Sequence, residues 1–113
     1  MKDKRSVRRF GQVIRVKPEK LNYYRELHSN PWPCVLEKIR ECNIRNYSIY
    51  LYGKHTLFAY FEYTGEDFNA DMARMADDPC TQAWWMETDP CQERMNPESE
   101  EWWLSMEELF HTD

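Results

Sequence analysis

Two neighbouring strands with bulk on both faces constrain this chain more than any other feature. Residues 44–52 (Ile-Arg-Asn-Tyr-Ser-Ile-Tyr-Leu-Tyr) and 56–63 (Thr-Leu-Phe-Ala-Tyr-Phe-Glu-Tyr) are rich in β-branched and aromatic side chains. Gly53-Lys54-His55 joins them as a tight hairpin. Along the first strand Tyr47, Ile49 and Leu51 share one face, and Ser48, Tyr50 and Tyr52 share the other. Along the second, Leu57, Ala59 and Phe61 oppose Phe58 and Tyr60. One layer of helices covers only one face of such a sheet. The other face must meet a second sheet, a partner subunit or a ligand.

The rest of the chain supplies the helices. Residues 8–16 read as a strand with Phe10, Ile14 and Val16 on one face and Gln12 among them. A polar side chain on an apolar face is either paired or sits in a pocket. Lys17-Pro18-Glu19 opens a helix, with Pro18 suited to its first turn. Leu21, Tyr24, Leu27 and His28 follow helical spacing, and Asn30-Pro31 ends the run. A second helix begins near Pro33 and is expected to bury Val35, Leu36, Ile39 and Cys42. After the hairpin, Gly65-Glu66-Asp67 leads into a helix whose buried side is Phe68, Met72 and Met75. Asp78 caps a further helix with Pro79 in its first turn. Residues 88–101 are polar, contain proline and read as a long loop. The segment from Trp103 to Phe110 has a helical composition, yet a last strand is needed to complete the sheet. The order is that of an α+β, ferredoxin-like βαββαβ protomer with helices on one side. Its open sheet face predicts a homodimer, with two sheets stacked or closed into a dimeric α+β barrel. A flexible basic tail is expected over residues 1–6, and a single α+β domain over 7–113.

Length and charge narrow the function. A chain of 113 residues suits one domain and one core. The net charge of −5, with basic residues clustered at the start, argues against nucleic acid. No stretch approaches the roughly 18 apolar residues of a membrane span, so no membrane partner is expected. The basic start lacks the apolar run of a secretory signal, which predicts a cytoplasmic protein. Cys34, Cys42, Cys80 and Cys91 are then expected as reduced structural thiols, with Cys34 and Cys42 sharing a packed face. Their spacing fits no zinc motif, and no metal site is expected.

The chain is aromatic beyond the needs of a small core, with five Trp, seven Tyr and five Phe. Such an excess often lines a pocket or an interface. His28 lies four residues after Tyr24, so on a helix the two share a face, and Trp32 follows just beyond the helix end. An imidazole titrating near neutrality, a phenol and an indole suit a small polyhydroxylated molecule. Trp84 and Trp85 are adjacent and point about 100° apart on a helix, so one packs in the core and the other faces elsewhere. His55 in the hairpin turn and His111 near the end read as surface residues. There is no phosphate-binding glycine loop and no nucleophile elbow.

Four stretches together resemble the L-rhamnose mutarotase family. They are Arg25-Glu26-Leu27-His28 with Trp32-Pro33, Asn46-Tyr47-Ser48-Ile49-Tyr50-Leu51, Cys80 followed by Trp84-Trp85, and Met106-Glu107-Glu108-Leu109-Phe110-His111. They span the chain from residue 10 onward in family order and with similar spacing. The resemblance implies a small dimeric α+β barrel that interconverts the α and β anomers of a 6-deoxy-L-sugar. L-Rhamnose is the first expectation and L-fucose the second. It implies His28 as proton donor, with Tyr24, Tyr47, Trp84 and Trp85 binding the sugar. Ring opening and closure need an acid and a base and no redox cofactor. Two other readings fit the scaffold, since fold does not fix function. One is a small monooxygenase or haem-degrading relative. The other is a noncatalytic sugar-binding module.

Overall fold

The computed structural model describes residues 7–113. The basic tail expected over residues 1–6 lies outside them. Strand β1 (Arg8–Val16) is followed by a 3-10 turn (Pro18–Lys20), α1 (Leu21–Ser29) and α2 (Pro33–Glu41). The hairpin β2 (Ile44–Tyr52) and β3 (Thr56–Tyr63) comes next, then α3 (Phe68–Ala76) and α4 (Pro79–Thr88). A second 3-10 turn (Asp89–Cys91) leads into the short strands β4 (Gln92–Glu93) and β5 (Leu104–Met106). All pairing is antiparallel, in the order β2-β3-β1-β4, with β5 also on β1. β4 pairs with the end of β1 and β5 with its middle, so two short pieces share the edge that one last strand was expected to fill. This is the ferredoxin-like α+β arrangement.

Local chemistry accounts for the helix ends. Asp67 caps α3 by accepting from the backbone N–H of Ala70, and Asp78 caps α4 by accepting from that of Thr81. Prolines occupy the first turns of α2 and α4, where a missing N–H costs nothing. The register then sets the faces. Phe10 lies opposite Phe61, Gln12 opposite Ala59 and Ile14 opposite Leu57. Two buried clusters form on this helical face. One holds Ile14, Val16, Leu21, Tyr24, Leu57 and Cys91. The other holds Ile44, Phe61 and Tyr63, with Phe68, Met72 and Met75 of α3 packed on it. On the opposite face Tyr50 is 65% and Tyr52 73% exposed, and Phe58 is also exposed.

A bulge in β2 decides what faces inward. Arg45 pairs with Glu62 and Ser48 with Tyr60, so Asn46 and Tyr47 together oppose Phe61 alone. Asn46 takes a left-handed conformation (φ 51°), which asparagine tolerates better than most residues. Its side-chain amide donates to Glu62 at 2.7 Å. The extra residue resets the alternation, so Ile44 and Tyr47 both reach the helical face.

Four expectations need correction. Cys34 and Cys80 are not free thiols but form a disulfide, with Cα atoms 6.3 Å apart. Each follows the first-turn proline of its helix, and α2 packs against α4, so equivalent turns bring them together. Cys34 and Cys42 do not share a packed face: Cys34 is exposed, while Cys42 is free and buried, as is Cys91. Leu36 is exposed rather than buried in the α2 stripe. The segment 88–101 is not all loop, because it contains the last residue of α4, a 3-10 turn and β4. Two paired residues carry no periodic signal, and β4 becomes a strand only because β1 is beside it.

Candidate active site

Between the two clusters, on the helical face, lies a cavity of about 550 Å³ that adjoins a second space of about 430 Å³. Both are lined by Tyr24, His28, Tyr47 and Trp84. The volumes fall within the roughly 300–1,000 Å³ usual for small-molecule sites. The larger cavity also touches Gln12, so the polar residue on the apolar face of β1 does sit in a pocket.

Helix α1 presents two of the expected residues one turn apart. Tyr24 is buried and His28 half-buried, and their rings stack with centroids 4.1 Å apart. Nδ1 of His28 lies 2.8 Å from the backbone oxygen of Tyr24. A carbonyl only accepts, so Nδ1 carries the proton. Nε2 is left as the nitrogen open to the cavity. Burial holds His28 below its ordinary pKa of 6.5, against the smaller upward pull of the carbonyl bond. At neutral pH the imidazole is therefore neutral, with a lone pair on Nε2.

The two tryptophans separate as their 100° offset requires. Trp84 is 8% exposed and Trp85 38%. Trp84 meets His28 edge-on at 5.3 Å and Trp32 edge-on at 5.1 Å, which makes an aromatic wall from α1, α4 and the turn before α2. Trp85 lines the larger cavity alone. Tyr47, aimed by the bulge, meets Phe61 edge-on at 5.7 Å. Tyr47 remains partly exposed, and burial pushes its hydroxyl up to about 12. Tyr24 is raised as well, first by burial and then by the nearness of Tyr47. Both phenols stay protonated at physiological pH and act as neutral hydroxyls.

The structure thus brings His28, Tyr24, Tyr47, Trp84 and Trp85 to one cavity. His55 lies in the exposed hairpin turn, and His111 bonds Asp113 at 3.0 Å near the chain end. The lining residues that sequence reasoning missed include Asp89, Gln92, Trp102 and Trp103, besides the buried Thr81 and Thr88 of α4. Burial raises the Asp89 carboxyl, partly offset by the nearby Trp102 indole N–H, whose own hydrogen bond goes to Gln92. Gln92 is buried, donates to the Tyr24 hydroxyl at 3.1 Å and accepts from the Trp102 indole at 3.0 Å. Asp89, Gln92, Trp102 and Trp103 sit in the stretch whose periodicity is too short to read. The one signal available was the second tryptophan pair, 102–103, in an otherwise polar run.

Flat aromatic walls suit the C–H faces of a sugar, neutral phenols suit its hydroxyls, and a neutral imidazole can take and return a proton. Fold and site define a ferredoxin-like α+β protein with a half-buried histidine in an aromatic cavity of small-molecule size. The chain belongs to the L-rhamnose mutarotase family, whose model matches residues 9–112. It is 34% identical over 109 residues to the L-rhamnose mutarotase of Ligilactobacillus salivarius, covering 93% of this chain and 97% of that one. To the L-rhamnose mutarotase of Oceanobacillus iheyensis it is 29% identical, covering 95% of this chain and all of that one. The crystal structure of an L-rhamnose mutarotase from Formosa agariphila superposes with a TM-score of 0.73 at 20% identity, over 94% of this chain and 99% of the other. That likeness concerns the fold.

Proposed function

We propose that this chain is a carbohydrate isomerase that interconverts the α and β anomers of L-rhamnose, with His28 as its acid/base group. The observation that carries the reading is the His28–Tyr24 pair. An imidazole stacked on a buried phenol, with its tautomer set by its own helix, faces a cavity walled by Trp84. Family membership supports the same activity.

The chemistry follows from the protonation states. Neutral His28 takes the proton of the anomeric hydroxyl at Nε2 and becomes imidazolium. The C1–O5 bond breaks as the anomeric oxygen forms a carbonyl, and the ring oxygen gains a proton from the imidazolium. The open-chain aldehyde rotates about C1–C2. Closure reverses each step on the other face of the carbonyl, and no proton is gained or lost overall. The imidazolium is thus the proton donor, after first accepting. Tyr24 and Tyr47 hold sugar hydroxyls as neutral partners. Trp84 and Trp85 cover the C–H patch and the methyl group. L-Fucose is a second substrate to test, because it differs only in hydroxyl orientation at ring carbons.

Residues 7–113 act as one unit in this reading, supported by a family match over 9–112. The working form is a homodimer, supported by the aromatic side chains exposed on the face away from the helices. Among the described residues no helix is long and apolar enough to cross a membrane. A cytoplasmic setting agrees with a step in sugar metabolism, while the Cys34–Cys80 disulfide speaks for a less reducing one. A thiol count on freshly isolated protein separates the two.

The test is exchange NMR on the anomeric protons of L-rhamnose, then L-fucose, with and without protein. Faster α/β exchange with L-rhamnose is the expected result. Exchange at the spontaneous rate with both sugars, despite binding, would leave a noncatalytic sugar-binding module.

A further inference from the structure

We infer that Gln92 and Trp102 form a relay of fixed polarity that turns the hydroxyl hydrogen of Tyr24 into the cavity, making both positioning residues for the sugar-binding phenol. The inference rests on the mutarotase reading above. It concerns how Tyr24 is held, which that reading leaves open.

The direction of the relay follows from donor and acceptor types. An indole N–H donates and never accepts. Trp102 Nε1 lies 3.0 Å from Gln92 Oε1, so this end of the amide must be the carbonyl. The amide NH₂ then faces the Tyr24 hydroxyl, 3.1 Å away. An NH₂ group cannot accept, so the phenol oxygen accepts here. Its own hydrogen is left for an acceptor elsewhere, and Tyr24 lines the cavity. Without the indole, the amide could turn over and its carbonyl would capture the phenol hydrogen instead.

Burial makes this polarity matter. Gln92 is 4% exposed, in contact with the core at the end of β1, where it pairs with Val16. Water cannot easily replace either bond, and a buried amide left unpaired would be costly. Trp102 packs on the cluster that holds Tyr24 and Leu57, and its indole face meets the Arg94 guanidinium at 5.2 Å. The ring is therefore held on both sides. The result is a phenol that offers a donor and not an acceptor, matched to a sugar oxygen that gains electron density as the ring opens or closes.

The experiment is a double-mutant cycle read by anomer-exchange NMR, with Gln92→Glu, Trp102→Phe and Tyr24→Phe. An ionised Glu at position 92 only accepts, so it takes the Tyr24 hydrogen while keeping the size of the side chain. Gln92→Glu should lower kcat/KM by about tenfold, the worth of one hydrogen bond at the site. Trp102→Phe should lower it less, because the amide still chooses the right orientation part of the time. Neither change should cost anything further in the Tyr24→Phe background. Equal losses in both backgrounds, or wild-type activity in Gln92→Glu, would overturn the relay. A readout without turnover is the ¹³Cζ resonance of Tyr24 in sugar-free protein. It should move downfield in Gln92→Glu as the phenol starts to donate to a carboxylate, and an unmoved resonance also counts against the relay. Wild-type protein that leaves exchange at its spontaneous rate would sink the mutarotase reading instead, and the resonance would still test the relay.

Discussion

At position 28 the imidazole is held by its own helix. Nδ1 bonds the Tyr24 carbonyl one turn back, the ring stacks on Tyr24, and Trp84 meets it edge-on. Burial lowers its pKa, so the neutral form prevails at and above pH 7. A reaction that begins with proton uptake at Nε2 needs that form. We expect kcat/KM to stay level from about pH 8 down to neutrality and to fall only as pH drops through the lowered His28 pKa, below its ordinary 6.5. A decline that instead sets in as pH rises through that range would assign His28 the role of resting acid. Replacing His28 by alanine should slow exchange by about 10²–10⁴-fold, the usual worth of a positioned acid/base group. Its circular dichroism should match wild type, because the last turn of a helix tolerates alanine. Full activity in that variant would remove His28 from the mechanism.

Elements matter here through what they carry to the cavity. Helices α2 and α4 are stapled where each begins, Cys34 two residues after Trp32 and Cys80 four before Trp84. The bond therefore ties α4, which carries Trp84, to the start of α2 just after Trp32, its partner in the aromatic wall. It spans a sequence separation of 46 residues. Closing a loop of that order contributes about 2–4 kcal/mol, chiefly by restricting the unfolded chain. We expect reduction, or Cys34→Ser with Cys80→Ser, to lower the urea midpoint accordingly and to raise KM more than it lowers kcat. Four thiols titrating in denatured, unreduced protein would show that the staple does not form. The β2 bulge acts on a smaller scale. One extra residue at Asn46 lets Ile44 pack in the core while Tyr47 still reaches the cavity. Simple alternation put Tyr47 with Ile49 and Leu51 correctly, but it would have turned Ile44 outward.

Among the described residues the helices cover one face of the sheet and leave Tyr50, Tyr52 and Phe58 exposed on the other, where Val13 is already buried. Tyr50 pairs with Phe58 and Phe58 with Val13, forming a continuous apolar row across β2, β3 and β1 on that face. Exposed aromatics in such a row favour a second copy as cover, since two identical sheets bury it symmetrically. We expect light scattering after gel filtration to give twice the monomer mass. Phe58→Glu should shift it toward monomer by placing a charge in the row, while the helical face and its cavity stay intact. A wild-type monomer at all accessible concentrations, or a variant that remains dimeric, would leave the face unexplained by self-association.

From the sequence alone came the elements and the central constellation. Period-two alternation marked β1, β2 and β3, proline and aspartate marked the helix starts, and the four-residue spacing set His28 beside Tyr24. These are local effects: dihedral preference, capping and helical pitch act within a few residues and leave their trace in the chain. The Cys34–Cys80 bond, the β4 strand and the hydrogen bonds of Gln92 to Tyr24 and Trp102 were decided by tertiary structure. Each joins groups whose separation along the chain says nothing of their distance in space. Sequence also set Trp84 and Trp85 on different sides of their helix but not which of them is covered. Packing of α4 between α2 and α3 decided that Trp84 is buried against His28 and that Trp85 stays open. A helix dictates the angle between neighbouring side chains, and only its partners dictate which of them is covered.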